Sequence, residues 1–236
     1  MQYELILGTV FIGFILYVFL KQTIQASSRL DNLARQHQTC RVLQTIPYNI
    51  SGKNTIFEIM NDSCESGMPH TTDVDTIRFP DWLWKKRDSN EFHKVLRHEL
   101  IHLLQRRSPT AWRIQYKRWG YTIQKDPPVG IPSHIVERVR YNPDLADAPW
   151  AIYEDRYVTV ACYKSTTNPQ LRDTEIVIWD LDLGKQVDQM PDSWKWGKGH
   201  LHQAEHPHEI SAEMGADVDH APYVPVGFAE FLQSQR

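Results

Sequence analysis

The most constraining feature of this 236-residue sequence is the stretch VLRHELIHLLQ at residues 95–105, which places His-Glu-x-x-His inside an apolar run. Residues four apart lie on the same face of an α-helix, so His98 and His102 can direct two imidazole nitrogens at one point. Glu99 lies one position round the helix, beside that point. This arrangement is typical of a zinc ion held by two histidines, with a carboxylate close to the water that the metal activates.

The flanking sequence predicts that this helix packs against a core. Asp88 and Glu91 form a predicted capping box at its start, and Ser108 followed by Pro109 predicts its end. Apolar residues at helical spacing predict a buried stripe to one side of the histidines: Phe92, Leu96, Leu100 and Leu103. A chance match of the motif on a solvated helix would usually lack this apolar flank.

The stretch VLRHELIHLLQ resembles the active-site helix of the zincin metallopeptidases. The metzincin extension is absent, because that pattern needs Gly at 105 and His at 108, where this chain has Gln105 and Ser108. Downstream, HEISAE at residues 208–213 is similar to the Glu-x-x-Ala-Asp/Glu helix of several gluzincin families. In those families the first Glu binds zinc, and the acid four residues on supports a ligand.

The resemblance implies a third zinc ligand at Glu209, with Glu213 as the residue that supports a histidine ligand. Both carboxylates face the same way, since they are one helical turn apart. The rival register makes Glu213 the ligand and Asp217 its support. Two fallback ligands lie elsewhere in the sequence: Glu137 and Glu154.

The expected chemistry follows from the metal. Three protein ligands leave one zinc position for water, and zinc both acidifies water and polarises a carbonyl group. Glu99 is then expected to take a proton from the water and deliver it to the leaving amine. The oxyanion needs a further donor, and the sequence leaves four candidates open: Tyr141, Tyr153, His200 and His202. A histidine cluster before the second motif could also supply a ligand or a donor: His200, His202, His206 and His208.

The N-terminus predicts a membrane anchor. Residues 5–20, LILGTVFIGFILYVFL, are uncharged and almost wholly apolar. A cleaved signal peptide is the alternative, but no Lys or Arg precedes the apolar run and residues 24–26 form a poor cleavage site. Basic residues follow the run and none precedes it, which predicts that the following domain lies on the cytoplasmic side.

Cysteine usage agrees with that compartment. Cys40, Cys64 and Cys162 cannot all pair and lack metal-site spacing, as expected in a reducing environment. Two Asn-x-Ser sequences, at Asn49 and Asn61, point to a secreted domain instead, but such short matches arise readily by chance.

We therefore expect an α+β protein, with an N-terminal transmembrane helix followed by one zincin-like domain in which a small sheet packs on the His-Glu-x-x-His helix. The expected division is an anchor at residues 1–21, a juxtamembrane stalk at 22–42 and a metallopeptidase-like domain at 43–236. Strands are predicted at 76–79, 156–164 and 175–181, and helices at 109–123 and 209–217. The 76–79 strand is expected either to be an ordinary edge strand or to form the edge along which an extended peptide docks.

The predicted function is zinc-dependent hydrolysis of peptide bonds in a peptide or protein substrate by a membrane-anchored metallopeptidase. A net charge of −3 with scattered basic residues argues against nucleic acid as a partner. Two alternatives remain: an inactive zinc-binding structural or adaptor protein anchored in a membrane, and a membrane-anchored interaction protein without metal. Glu99 favours the enzyme over the first, because an inactive protein could dispense with it.

Overall fold

The computed structural model describes residues 29–36, 38–50, 53–145, 148–196 and 205–217. Within these ranges the chain forms a mixed α+β fold with two β-sheets, one of four strands and one of five. The prediction of one small sheet is therefore wrong. Two sheets are present, and both contribute side chains to a common core around the His-Glu-x-x-His helix.

The first sheet is built from four strands in the spatial order β1-β2-β4-β3. Their bounds are β1 Val42–Ile50, β2 Lys53–Met60, β3 His70–Thr71 and β4 Thr76–Pro80. β1 and β2 form an antiparallel hairpin, β2 and β4 are parallel, and β3 is antiparallel to β4. The predicted strand at 76–79 is confirmed, but its predicted place at the sheet edge is wrong, because β3 pairs with its outer side.

The second sheet is an antiparallel meander in sequence order. Its strands are β5 Tyr121–Gln124, β6 Trp150–Tyr153, β7 Tyr157–Tyr163, β8 Thr174–Asp180 and β9 Lys185–Val187. The predicted strands at 156–164 and 175–181 are confirmed as the hairpin β7–β8. The predicted helix at 109–123 is too long, because Gly120 adopts a φ of 89° and the chain continues as β5.

Besides a helical stretch at 29–35, the described elements include five helices. Their bounds are α1 Asp81–Trp84, α2 Asn90–Arg107, α3 Pro109–Arg118, α4 Ser133–Val136 and α5 Pro207–Ala216, and 3-10 turns occupy Cys64–Gly67 and Pro143–Leu145. α2 is the predicted motif helix, and its Ser89 cap accepts a hydrogen bond from the Phe92 backbone at 3.2 Å. The predicted capping box is therefore one residue early, and Glu91 instead faces Lys86 at 3.4 Å.

The main core surrounds α2. From Glu99 to Gln105 every residue of this helix is buried. Its apolar residues pack with both sheets in one cluster that includes Phe57, Ile59, Ile77 and Phe79 of the first sheet and Tyr121, Tyr153 and Ile178 of the second. The opposite face of the second sheet packs on α4 in a separate cluster that includes Ile135, Val136, Val158, Val160 and Val177. The motif helix is thus held rigidly by its surroundings.

The segment interpreted as a juxtamembrane stalk, residues 22–42, is described from residue 29 on. A helical stretch at 29–35 buries Leu30 against Tyr163 and Leu171. Only 3 % of the Leu30 surface is exposed, so this stretch packs on the second sheet.

The predicted transmembrane architecture requires correction. None of the helices in the described ranges has the length and apolar character needed to cross a membrane. The longest, α2, has 18 residues, but six of them are Glu, Lys or Arg. The predicted architecture, an N-terminal transmembrane helix in a single-pass membrane protein with a cytoplasmic domain, is therefore corrected to a mixed α+β fold whose described helices do not span a membrane. The apolar run at 5–20 itself lies outside the described residues.

The cysteines also depart from expectation. Cys40 and Cys64, 24 residues apart, form a disulfide, and Cys162 is a buried free thiol. Disulfides persist mainly in oxidising environments, so the pair removes the support for a reducing compartment.

The disulfide can be tested by counting thiols. In denaturant without reductant, purified protein should show one reactive thiol, from Cys162, and all three after reduction. Because the bond closes a loop, the variant with both Cys40→Ser and Cys64→Ser should lose about 3 kcal/mol of unfolding free energy. Reductant should lower the stability of the wild type and leave that of the variant unchanged. Three reactive thiols before reduction would contradict the pairing.

Candidate metal centre

Two histidines of α2 and one glutamate of α5 converge at the contact between these helices. His98 Nε2 and His102 Nε2 lie 3.0 Å apart. Glu209 places Oε2 at 3.5 Å from His98 Nε2 and Oε1 at 3.6 Å from His102 Nε2. The three residues form a cluster that could hold a metal ion, with their ligand atoms within 4.8 Å of one another.

The spacing and chemistry of this cluster fit a single metal ion. Atoms that bind one zinc ion tetrahedrally lie about 3.3 Å apart, given typical zinc–ligand distances. The two histidine nitrogens are 3.0 Å apart, and each lies 3.5 or 3.6 Å from a different oxygen of Glu209, so every pair of residues offers two atoms near that spacing. Two imidazoles and a carboxylate are ligands that suit zinc and several other divalent transition metals.

Local interactions fix α5 against α2. The His206 ring caps α5, since its Nδ1 accepts a hydrogen bond from the His208 backbone at 3.1 Å. At the other end of the helix, Arg97 of α2 donates to the backbone oxygen of Ala216 at 2.8 Å. Ala212 is fully buried, and its small side chain allows the two helices to approach closely. These contacts position the carboxylate of α5 opposite the imidazoles.

Gln105 determines which nitrogen of His102 is free. Its amide nitrogen donates to the backbone oxygen of His208 at 3.0 Å and to Ser211 Oγ at 2.8 Å. A backbone oxygen can only accept, so the amide oxygen must face His102 Nδ1, at 2.8 Å. His102 therefore donates from Nδ1 and keeps the lone pair of Nε2 for a metal.

Glu213 faces His98 on the side of the ring away from Glu209. Its Oε2 lies 3.7 Å from His98 Nδ1, and its Oε1 lies 3.1 Å from Lys94 Nζ. Asp217 lies 3.1 Å from the same Lys94 nitrogen. Glu209, and not Glu213, is thus the acidic residue beside both Nε2 atoms, while Glu213 faces an outer ring nitrogen.

The electrostatics of the cluster favour a cation. Burial opposes a positive charge on His98, but Glu209 and Glu213 outweigh it and raise the pKa of His98 to about 9. Burial likewise opposes charge on His102, but Glu209 and Asp144 raise its pKa to about 9. Burial opposes the charged form of Glu209 as well, but the two histidines lower its pKa well below the ordinary value. The buried carboxylate thus attracts either protons or a metal ion to this point.

Glu99 lies beside the cluster and has an unused carboxylate oxygen. It is 2 % exposed, and no described residue hydrogen-bonds its Oε2. Burial raises the pKa of Glu99 well above its ordinary value, and the nearby charge of Asp144 adds to the effect. A buried carboxylate oxygen that accepts no hydrogen bond is costly, so its retention here calls for a functional explanation.

A cleft of about 520 Å³ opens onto these residues. His98, Glu99 and Glu209 line one part of it, and the segments 68–70 and 140–144 line another. The cluster is therefore accessible to a ligand even though its side chains are largely buried.

The edge strand of the first sheet beside this cleft is β3, and its backbone groups at Thr71 already have hydrogen-bond partners. Thr71 of β3 donates its backbone N–H to Asp144 Oδ1 at 2.7 Å, and its backbone oxygen accepts from Arg106 at 3.3 Å. Both backbone groups of Thr71 are thus occupied, so this residue cannot pair with an added peptide strand.

The candidate oxyanion donors are separated by the fold. Tyr141 lines the cleft, whereas Tyr153 is buried in the main core with its ring 5.2 Å from that of Tyr121. His200 and His202 lie outside the described residues.

The remaining ligand candidates lie apart from the cluster. Glu137 and Glu154 are exposed, and neither joins it. His206 and His208 stack with ring centroids 4.6 Å apart, and burial lowers the pKa of His206 to about 3, so it is neutral near pH 7. These two histidines contact α3 and α5 and do not belong to the metal cluster.

Several residues around the site were missed by sequence reasoning. Gln105 was noted only as a mismatch to the metzincin pattern, although its position three residues after His102 on a helix could have revealed the contact. Asn142 is followed by Pro143, which indicates only a turn, and no motif in the sequence includes Glu205. Their contacts are long-range, so no local pattern could have indicated them.

Comparison of the chain with models of protein families, with curated proteins and with solved structures gives no match. The three-residue cluster alone does not identify a zincin, so the family resemblance depends on the two short motifs.

The roles of the two glutamates can be separated by metal titration. Glu209→Ala should abolish tight binding of Zn²⁺, because two remaining ligands bind poorly. Glu213→Ala should weaken binding by roughly 10- to 100-fold, as changes to residues that orient ligands do. Competition with a chromophoric chelator measures both, with Glu91→Ala on the exposed side of α2 as control. Abolished binding in Glu213→Ala with intact binding in Glu209→Ala would require the rival register.

Proposed function

We propose that this protein is a zinc-dependent peptidase that hydrolyses peptide bonds in a peptide or protein substrate. Zinc would be held by His98, His102 and Glu209, and Glu99 would act as the general base. The observation that carries the proposal is the buried Glu99 carboxylate, which lies on the wall of the cleft beside the ligand cluster. None of the described residues hydrogen-bonds its Oε2. A purely structural metal site has no use for such a group.

The donor set supports a catalytic rather than a structural zinc site. Structural zinc sites are almost always closed by four protein ligands, whereas catalytic sites use three and leave one position open. Among the described residues the cluster has three members, and a cleft leads to it. When bound, zinc supplies a more acidic water and polarises a carbonyl oxygen.

Glu99 is suited to transfer protons in this site. Burial raises the pKa of its carboxyl group, which makes the carboxylate a better proton acceptor than an exposed glutamate. It would take a proton from the attacking water and give it to the nitrogen of the leaving amine. Because no described residue hydrogen-bonds its Oε2, none of these residues has to release that oxygen first.

Tyr141 is the candidate donor to the oxyanion. Its backbone N–H donates to both carboxylate oxygens of Asp31, at 3.0 and 3.1 Å, and its backbone oxygen accepts from Arg35 at 3.2 Å. The half-exposed ring is therefore carried into the cleft on a fixed backbone. Among the described residues nothing hydrogen-bonds the Tyr141 hydroxyl, which leaves it free to donate to a substrate oxygen.

Substrate binding in this cleft would depend on side chains. The predicted backbone pairing along β4 is not possible, because β4 is an interior strand, and Thr71 of β3 has both backbone groups occupied. A volume of about 520 Å³ is in the range of pockets that enclose small ligands, so it can accommodate a short peptide segment.

The role of Glu99 can be tested with an isosteric variant. Glu99→Gln should keep zinc and lose roughly 10²- to 10⁴-fold in rate, because the amide cannot accept the proton. The assay measures cleavage of an internally quenched peptide library, with zinc content determined in parallel. Glu91→Gln, on the exposed side of the same helix, is the matched control and should retain full activity.

Two results would contradict the proposal. Wild-type turnover in Glu99→Gln would remove Glu99 as the base. A wild type that binds zinc stoichiometrically but cleaves neither the library nor unfolded casein would favour an inactive zinc-binding structural or adaptor protein.

A further inference from the structure

Asn142 contacts the acidic member of the metal cluster directly. Its Nδ2 donates to Glu209 Oε1 at 2.9 Å and to Glu205 Oε1 at 2.7 Å. Its Oδ1 accepts from the Asp144 backbone N–H at 3.0 Å. A backbone N–H can only donate, so the orientation of the amide is fixed and both of its hydrogens point to carboxylates.

A second carboxylate and an arginine hold this amide in place. Glu205 is 5 % exposed, and Arg140 Nη2 donates to the same oxygen that Asn142 binds, at 2.8 Å. Burial raises the pKa of Glu205, while Arg140 opposes that rise. The ion pair compensates the charge of Glu205, and the amide separates two buried anions that would otherwise repel each other. Glu205 therefore serves as a partner of Asn142 and does not join the cluster itself.

The consequence concerns how Glu209 binds a metal. Its two oxygens face different surroundings. Oε1 accepts the Asn142 hydrogen bond and lies 3.6 Å from His102 Nε2, whereas Oε2 lies 3.5 Å from His98 Nε2 and accepts no hydrogen bond from Asn142. A carboxylate with one oxygen held in this way offers the other as a single ligand atom. Binding through both oxygens would take up a further position on the metal, which a catalytic site needs for water or substrate.

We propose that Asn142 is a positioning residue that holds Oε1 of Glu209, so that Glu209 binds the metal through Oε2 alone. This inference rests on the metal site of the proposed function. Asparagine suits the task because its two hydrogens satisfy both carboxylates. An aspartate would bring a third buried negative charge, and a leucine would leave Glu209 Oε1 without a donor.

Cobalt substitution tests the proposal without any activity assay. Full-length wild type, Asn142→Leu and Asn142→Ala are titrated with Co²⁺, and the visible absorption spectrum and dissociation constant are recorded. Asn142→Ala removes the same donors without adding bulk, so it decides the question if the leucine variant does not fold. Asn90→Leu, at the exposed start of α2, makes the same chemical change away from the cluster.

The wild type and Asn90→Leu should give the intense visible band of four-coordinate Co²⁺. The Asn142 variants should bind cobalt roughly 10- to 100-fold more weakly, because Glu209 loses its orienting partner. Their band should also be weaker, because the freed Oε1 raises the coordination number.

The outcomes separate this proposal from the one on which it rests. No cobalt binding by the wild type would overturn the metal site and the role of Asn142 together. Tight binding by the wild type with an unchanged spectrum and affinity in Asn142→Ala would overturn the role of Asn142 alone. A variant that only lost fold stability would keep the wild-type spectrum at saturating cobalt, which would also count against the proposal.

Discussion

The contact between the Glu209 carboxylate and the imidazoles of His98 and His102 is the interaction around which the rest of the site is arranged. A buried carboxylate is costly unless positive charge or hydrogen bonds compensate it. Here the two histidines of α2 provide one side of that compensation and Asn142 provides the other. Because the partners come from segments distant in sequence, the contact also fixes α5 against α2. A divalent cation would satisfy the carboxylate and the two nitrogen lone pairs at once, without the need to protonate both rings.

Each residue of this cluster has a different partner that contacts it from outside the cluster. Gln105 assigns the proton of His102 to Nδ1, and Gln105 is itself oriented by a backbone oxygen. Glu213 faces the outer nitrogen of His98 and is shared with Lys94. All these groups belong to helices and turns that pack against the main core. The cleft side is different, because there the buried Glu99 and the half-exposed Tyr141 line an open cleft. A rigid inner side and an accessible outer side together distinguish this arrangement from a closed structural site.

The sequence predicted local features well and long-range features poorly. Hydrophobic periodicity and turn residues predict the motif helix, its end at Ser108 and the hairpin β7–β8. The structure contains all three. The first strand was missed because β1 is exposed along almost its whole length and so lacks an alternating pattern. The Cys40–Cys64 bond could not be deduced, since three cysteines allow several pairings. Within the site, the motif indicated His98, Glu99 and His102, whereas Asn142 and Glu205 depend on tertiary contacts that no spacing reveals.

The most direct test of a catalytic zinc centre is a crystal structure of the zinc-loaded protein with anomalous data at the zinc edge. We expect one anomalous peak per chain, bound by His98 Nε2, His102 Nε2 and Glu209 Oε2 at about 2.0–2.2 Å, with the fourth position facing the cleft beside Glu99. Absence of a peak at this point would contradict the account. A peak closed by a fourth protein ligand, or one bound by Glu213 in place of Glu209, would contradict it equally.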